Sequence, residues 1–307
     1  MMKTAVSASL MAFALLAACS PAATDNVADS PEAIAEIDTE TAPADEAAPQ
    51  SALDIAIASD LRSPEEKARD AWRHPKETLE FFGVEPDDTV VEIWPGGGWY
   101  TNILAPWIAS GGGQLVEVLF DPAGIDDAAR VARINSNNDS FKSNYTDAKF
   151  GTIAYSGFSA NSGPLAEPGS VDVILTFRNI HNWMAGGYEQ KFFNDAYAAL
   201  KPGGVLGVVE HRLPSTAIQD PKASTGYVHE DYVKALAAKA GFEFDSASEI
   251  NANSADTADH PFGVWTLPPV NQQPKEGEAA PEDWNPDAYK AIGESDRMTL
   301  KFVKPAE

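Results

Sequence analysis

Residues Val90 to Thr101 constrain the fold more than any other stretch. An apolar run, Val90-Val91-Glu92-Ile93-Trp94, meets Pro95-Gly96-Gly97-Gly98 and passes into the helix-compatible Trp99-Tyr100-Thr101. Glycine lets a backbone turn tightly and approach a ligand with no Cβ in the way. A helix starting there aims its free N–H groups at whatever sits over the loop. In an α/β sheet this strand, glycine loop and helix form the layout of a nucleotide-type cofactor site. Taken alone, the same run is also an ordinary turn.

The rest of the chain repeats the alternation. Ser63-Pro64-Glu65-Glu66 has the form of a helix start, with Ser as cap, Pro first and Glu in the capping-box position. Strands are expected at Thr89–Trp94, Gln114–Phe120, Phe150–Tyr155, Val171–Phe177, Val205–Glu210 and from Phe242 to Asp245. Helices are expected at Lys76–Phe82, Tyr100–Ala109, Asp126–Asn135, Tyr188–Leu200 and His229–Ala240, with Lys201-Pro202-Gly203-Gly204 as a turn. Strands alternating with helices predict a doubly wound, mostly parallel α/β sheet, and continuous apolar runs such as Val171–Phe177 suit its buried centre. Gly263–Leu267 and Met298–Val303 read as a final antiparallel pair at a sheet edge.

The amino terminus carries Lys3, an apolar stretch from Ala5 to Leu16, and Leu16-Ala17-Ala18-Cys19. That is a secretory segment, too short to span a bilayer. Its ending resembles the lipobox of bacterial lipoproteins, which implies lipid modification of Cys19 after removal of residues 1–18. Ser20 behind it resembles the class sorted to the periplasmic face of the outer membrane. Cys19 is the only cysteine, so no internal disulfide can form. Between Ser20 and Asp60 stand ten acidic residues and no Lys or Arg, which reads as a solvated tether over 19–60. A net charge of −24 excludes nucleic acid as a partner and limits membrane contact to the anchor. Residues 61–307 suffice for one α/β domain.

Glu92 with its glycine loop, Leu115–Phe120, Val171-Asp172-Val173-Ile174-Leu175 and Leu200-Lys201-Pro202-Gly203-Gly204-Val205-Leu206 fall in a familiar order. Together they resemble the class I S-adenosylmethionine (SAM)-dependent methyltransferases. Glu92–Thr101, Phe177–Trp183, Gly226–Tyr232 and Gly293–Phe302 further resemble an exported group of predicted methyltransferases. The resemblance implies a Rossmann-like sheet of seven strands with an antiparallel carboxyl-terminal pair. It implies SAM as cofactor, a small molecule as methyl acceptor, and Glu92, Gly96, Gly97 and Gly98 at the cofactor. Two positions depart from the family pattern: Trp94 stands where its first glycine belongs, and Leu119 where an acid grips the ribose. Glu117 and Asp121 are the candidate substitutes, with Asp121 just past the strand.

The densest polar cluster, Arg178-Asn179-Ile180-His181-Asn182-Trp183, follows the fourth strand and so faces the ligand crevice. His181 is a candidate base for a hydroxyl acceptor and Asn179 a candidate orienting group. Trp183, Tyr100, Arg178 and His211 are candidate substrate-lining residues. Other readings stay open: His181 as a loop hydrogen-bonder, Trp183 as a core plug, and Glu210-His211 as a structural pair. No His-x-x-x-His or Cys-x-x-Cys spacing occurs, so no metal is expected. The alternative to an enzyme is a catalytically inactive methyltransferase-fold binding protein of the cell envelope.

Overall fold

The computed structural model describes residues 50–306. The secretory segment, Cys19 and the acidic stretch up to residue 49 lie outside the described residues. In chain order the elements begin with α1 (Ala52–Ala58), α2 (Pro64–Lys67), α3 (Asp70–Arg73) and α4 (Pro75–Phe82). Then come β1 (Thr89–Ile93), α5 (Thr101–Gly111), β2 (Gln114–Phe120), α6 (Ala128–Asn144), β3 (Ile153–Phe158) and β4 (Val171–Phe177). The remainder is α7 (Ile180–Gly186), α8 (Glu189–Ala199), β5 (Leu200–His211), α9 (Glu230–Ala240), β6 (Glu243–Ser248), α10 (Pro286–Ile292) and β7 (Arg297–Val303). No helix among the described residues is long and apolar enough to cross a membrane.

The sheet runs β3-β2-β1-β4-β5-β7-β6. β1 to β5 are mutually parallel, and β7 is antiparallel to both of its neighbours. This is the seven-stranded, doubly wound sheet with an antiparallel end that the resemblance implies. β1 sits between β2 and β4, so its side chains are covered on both faces: Val91 and Ile93 enter one apolar layer and Val90 the other. The chain reverses its direction of winding at β1 and β4, and a crevice opens at the carboxyl ends of strands at such a point.

Four expectations need correction. The segment read as the end of the tether folds as α1. Ser51 accepts from the Asp54 N–H, the Asp54 carboxylate takes the Ser51 N–H, and Leu53 and Ala56 are buried. Gly263–Thr266 is a 3-10 turn rather than a strand, and the partner of β7 is β6. Lys201 to Gly204 form a bulge within β5, between the pairings Val171 with Leu200 and Val173 with Val205. Lys201 anchors that bulge through Nζ, 2.7 and 2.8 Å from the two carboxylate oxygens of Asp172. Finally, α7 is a helix where only a loop cluster was read.

Candidate functional site

A cavity of about 400 Å³ opens at the carboxyl ends of β1, β4 and β5. Its floor is Glu92, the loop Trp94–Gly97, Phe177, Arg178, Asn179, His181 and His211. Arg69 and Arg73 close one side, and Trp265 with Pro268, Pro269 and Val270 the other.

The glycine loop behaves as the chemistry of glycine predicts at Gly96, with φ +61°, where an added Cβ would meet nothing within 4 Å. Gly97 also faces open space, and both line the cavity. Gly98 does not line it. A Cβ there would lie 1.8 Å from the Tyr145 hydroxyl, so that glycine serves packing between α5 and α6. Trp94 keeps a glycine-like φ of +48°, but its indole turns away from the loop. It stacks on Phe120 at 4.8 Å, and its Nε1 donates to the Phe158 carbonyl at 3.1 Å. The indole thus covers the ends of β2 and β3. Leu119 is buried, and Asp121 lies outside the cavity with its carboxylate accepting from the Ala123 N–H at 2.8 Å.

Glu92 and Glu117 are direct partners across β1 and β2, and both are buried. Glu92 accepts from the Thr101 hydroxyl at 2.9 Å. Burial pushes both carboxyls upward, and the Glu92 charge pushes Glu117 further. The folded state therefore holds protons that the unfolded chain releases above the ordinary carboxyl range. Stability from this pair is greatest at low pH and falls as pH rises through the elevated folded values. Glu117→Gln is expected to flatten that decline. Unfolding midpoints measured from pH 5 to 8 check this, with the variant gaining several degrees over the parent at pH 8.

Glu210, from the end of β5, organises the β4 side. Its Oε2 accepts from the Ile180 and His181 N–H groups at 2.6 and 3.3 Å, and so caps α7. Its Oε1 accepts from the His211 N–H at 2.8 Å and lies 3.0 Å from His181 Nδ1. A carboxylate only accepts, so the imidazole donates from Nδ1 and keeps its lone pair on Nε2. Nε2 has no hydrogen-bond partner among the described residues, and the ring lines the cavity. Asn179 lines it too, with Nδ2 donating to the Ile93 carbonyl at 2.8 Å. The neighbouring His211 packs its ring 5.4 Å from that of His181, with Nδ1 2.5 Å from the Ser295 hydroxyl. Burial, then the cost of placing a second positive charge beside His181, Arg178, Arg297 and Arg73, holds His211 well below the usual histidine range. Among the described residues, His181, Glu210 and His211 form the one group with ligand atoms close enough for a metal, within 4.8 Å. Four N–H groups already occupy Glu210 and arginines line the same cavity, so the surroundings oppose a bound cation.

Two candidate lining residues differ in kind. Tyr100 stacks on Phe177 at 3.6 Å and forms a wall, its hydroxyl pushed up to about 12 by burial. Trp183 lies outside the cavity, fully buried with its ring 4.2 Å from that of Phe192; it plugs the core. His229 bonds to the Pro214 carbonyl and Tyr227 to Asp256, both away from the cavity.

Glu294 was missed by sequence reasoning. It stands just before β7 and gathers Arg69 at 2.7 Å, Arg73 at 3.0 Å, Arg297 at 3.2 Å and Arg178 at 3.6 Å. Burial pushes its carboxyl up, but Arg73, Arg297, Arg178 and Arg69 outweigh this and hold it at about 2. Arg178 has φ +62°, and its N–H donates to the Val209 carbonyl at 2.7 Å. Left-handed backbone at a non-glycine residue costs roughly 1–3 kcal/mol and is often kept where a side chain must be aimed.

No protein-family model matches the chain. No curated protein matches it either. Among solved structures it is similar to a SAM-dependent methyltransferase from Aquifex aeolicus, at 18% identity and TM-score 0.43, over 62% of this chain and 89% of that one. It is also similar to a putative sarcosine dimethylglycine methyltransferase from Galdieria sulphuraria, at 14% identity and TM-score 0.47, over 79% of this chain and 87% of that one. A third is phosphoethanolamine N-methyltransferase 2 of Haemonchus contortus in complex with SAM, at 14% identity and TM-score 0.44, over 85% of this chain and 61% of that one. These are likenesses of architecture, and the chemistry of the site rests on its own residues.

Proposed function

We propose that this chain is an exported, lipid-anchored enzyme that transfers a methyl group from SAM to a small molecule. The observation that carries the reading is the pairing, across one cavity, of an open Gly96-Gly97 loop with an imidazole held by Glu210. The residues fit SAM at the loop end, where Gly96 and Gly97 leave space and Glu92 offers a buried acid. They depart from the family pattern twice: Trp94, whose indole packs on Phe120 and bonds to the Phe158 carbonyl, stands at the first glycine, and Leu119 stands at the ribose acid.

When bound, SAM supplies a methyl carbon whose leaving group is a neutral thioether. The chain supplies position and a proton acceptor. An acceptor hydroxyl or amine held beside His181 would give up its proton to Nε2. Glu210 keeps Nδ1 protonated, so that lone pair faces the cavity throughout. Asn179, tied to β1 through the Ile93 carbonyl, presents its remaining amide oxygen to the acceptor.

Calorimetric titration of the full chain with SAM and with S-adenosylhomocysteine tests the reading. Micromolar binding of both is expected, weakened at least tenfold by Glu92→Ala. A folded sample that binds neither at millimolar concentration leaves the inactive binding protein as the reading. The anchor rests on Lys3, the apolar Ala5–Leu16 and Leu16-Ala17-Ala18-Cys19. Mass spectrometry of the mature chain should find its first residue at Cys19, with a diacylglyceryl group on sulfur. An unmodified cysteine would remove the anchor from the proposal.

A further inference from the structure

We infer that the substrate of this cavity carries an anionic group, a carboxylate or a phosphate, gripped by Arg178 together with Arg73 and Arg69. The inference deepens the methyl-transfer reading by naming the class of molecule placed beside His181, but the anion site stands on its own observations.

The first observation is a charge imbalance. Four guanidinium groups surround the single carboxylate of Glu294. Arg297 is fully engaged, donating to Ser295 and Trp72 carbonyls as well as to Glu294. The other three are not. Arg69 and Arg73 reach Glu294 only through Nε, and their terminal nitrogens have no hydrogen-bond partner among the described residues. Arg178 makes no side-chain hydrogen bond among the described residues, only the 3.6 Å contact with Glu294. All three line the cavity.

The lining acids do not compensate. Glu66 is occupied by the Ser63 N–H and the Asn102 amide. Glu92 is driven toward its neutral form by burial. The same burial, with mutual repulsion, lowers Arg73 and brings Arg178 to about 10. A chain of net charge −24 has carboxylates to spare, yet it leaves these guanidinium donors facing a cavity. A planar fork of donors matches the oxygens of a carboxylate or phosphate, and charged hydrogen bonds of that kind are strong.

The second observation is aim. Arg178 holds left-handed backbone at the end of β4, one residue before Asn179 and three before His181. The residue that grips the anion and the residues proposed to handle the nucleophile therefore sit on one rigid turn. Trp265, Phe177 and Tyr100 supply the apolar body of the cavity between them.

The test is calorimetric titration of the full chain with inorganic phosphate and with acetate, at constant ionic strength in chloride. One of the two is expected to bind in the millimolar range, and which one separates phosphate from carboxylate. Arg178→Gln, which gives up no hydrogen bond in the fold, should weaken that binding about tenfold. Arg69→Gln should weaken it as well. If neither anion binds a folded sample, or if Arg178→Gln leaves binding unchanged, the inference fails.

Competition with cofactor separates the remaining cases. Suppose SAM displaces phosphate or acetate and decarboxylated SAM does not; then the arginines hold the cofactor's own carboxylate, and the inference is overturned. If both leave the anion in place, or SAM fails to bind while the anion still binds through Arg178, the anion site stands. In the second of those cases the methyl-transfer reading falls alone.

Discussion

Glu294→Ala is expected to cost about 3–5 kcal/mol of stability, because it leaves the buried Arg73 and Arg297 and the half-buried Arg178 with no counter-charge. A carboxyl held at about 2 rather than its ordinary 4.5 gives a consistent figure of roughly 3 kcal/mol. For a domain of this size that lowers the unfolding midpoint by about 10 °C or more. The sign with pH follows from the depressed value. The contribution is fully present above the unfolded carboxyl range and is lost as pH falls from about 4.5 toward 2. Thermal unfolding of parent and variant between pH 3 and pH 7 should show the two converging at the acid end. A variant that melts within 2 °C of the parent at pH 7 would show that the arginines find other partners.

Glu210→Ala is expected to have the next largest effect. It strips three backbone N–H groups and one imidazole N–H of their acceptor at once, in a fully buried position. Each unsatisfied buried donor costs about 1–3 kcal/mol, so a loss of at least 3 kcal/mol is expected even with some relaxation. Glu210→Gln restores one acceptor oxygen but sets an NH₂ group against donors. The more telling readout is the imidazole of His181. Its ¹⁵N spectrum in the parent should show a proton on Nδ1 and a bare Nε2, and Glu210→Gln should give a mixture of tautomers. A mixture already present in the parent would remove Glu210 from its positioning role. Once an acceptor is known, the same variant should lose about 10²–10⁴ in rate.

The sheet was legible because its signals are local. β1, β2 and β4 are mainly apolar runs, each interrupted by one acid (Glu92, Glu117 and Asp172), and Pro95-Gly96 marks where β1 gives way to its loop. The place of Gly96 and Gly97 at the crevice was legible for the same reason, whereas Gly98, expected beside them, packs against Tyr145, which only the fold brings near. α7 was not, since its cap is Glu210, far along the chain, rather than a Ser or Asp beside it. The partner of β7 was misplaced because β6 is mostly exposed and polar, with no apolar run to mark it. The start of the domain was hidden differently. Ser51 and Asp54 have the spacing of a capping box, but they lie in a stretch whose charge reads as solvated. Glu294 and its arginines come from α3, the end of β4 and the approach to β7, and only the sheet order brings them together. Trp183 had two readings in sequence, and packing against Phe158 and Phe192 decided for the core.

β7 lies between β5 and β6 although it follows both in the chain. While the chain emerges from a ribosome, β5 therefore presents a bare edge and β6 has no neighbour, until Arg297–Val303 arrive. Bare edges recruit foreign strands, and pairings between distant segments form slowly. The same late arrival delivers Glu294, so the cavity arginines Arg69, Arg73 and Arg178 gain their shared carboxylate only near the end of the chain. A sheet wound in this order closes only when its last strand is made.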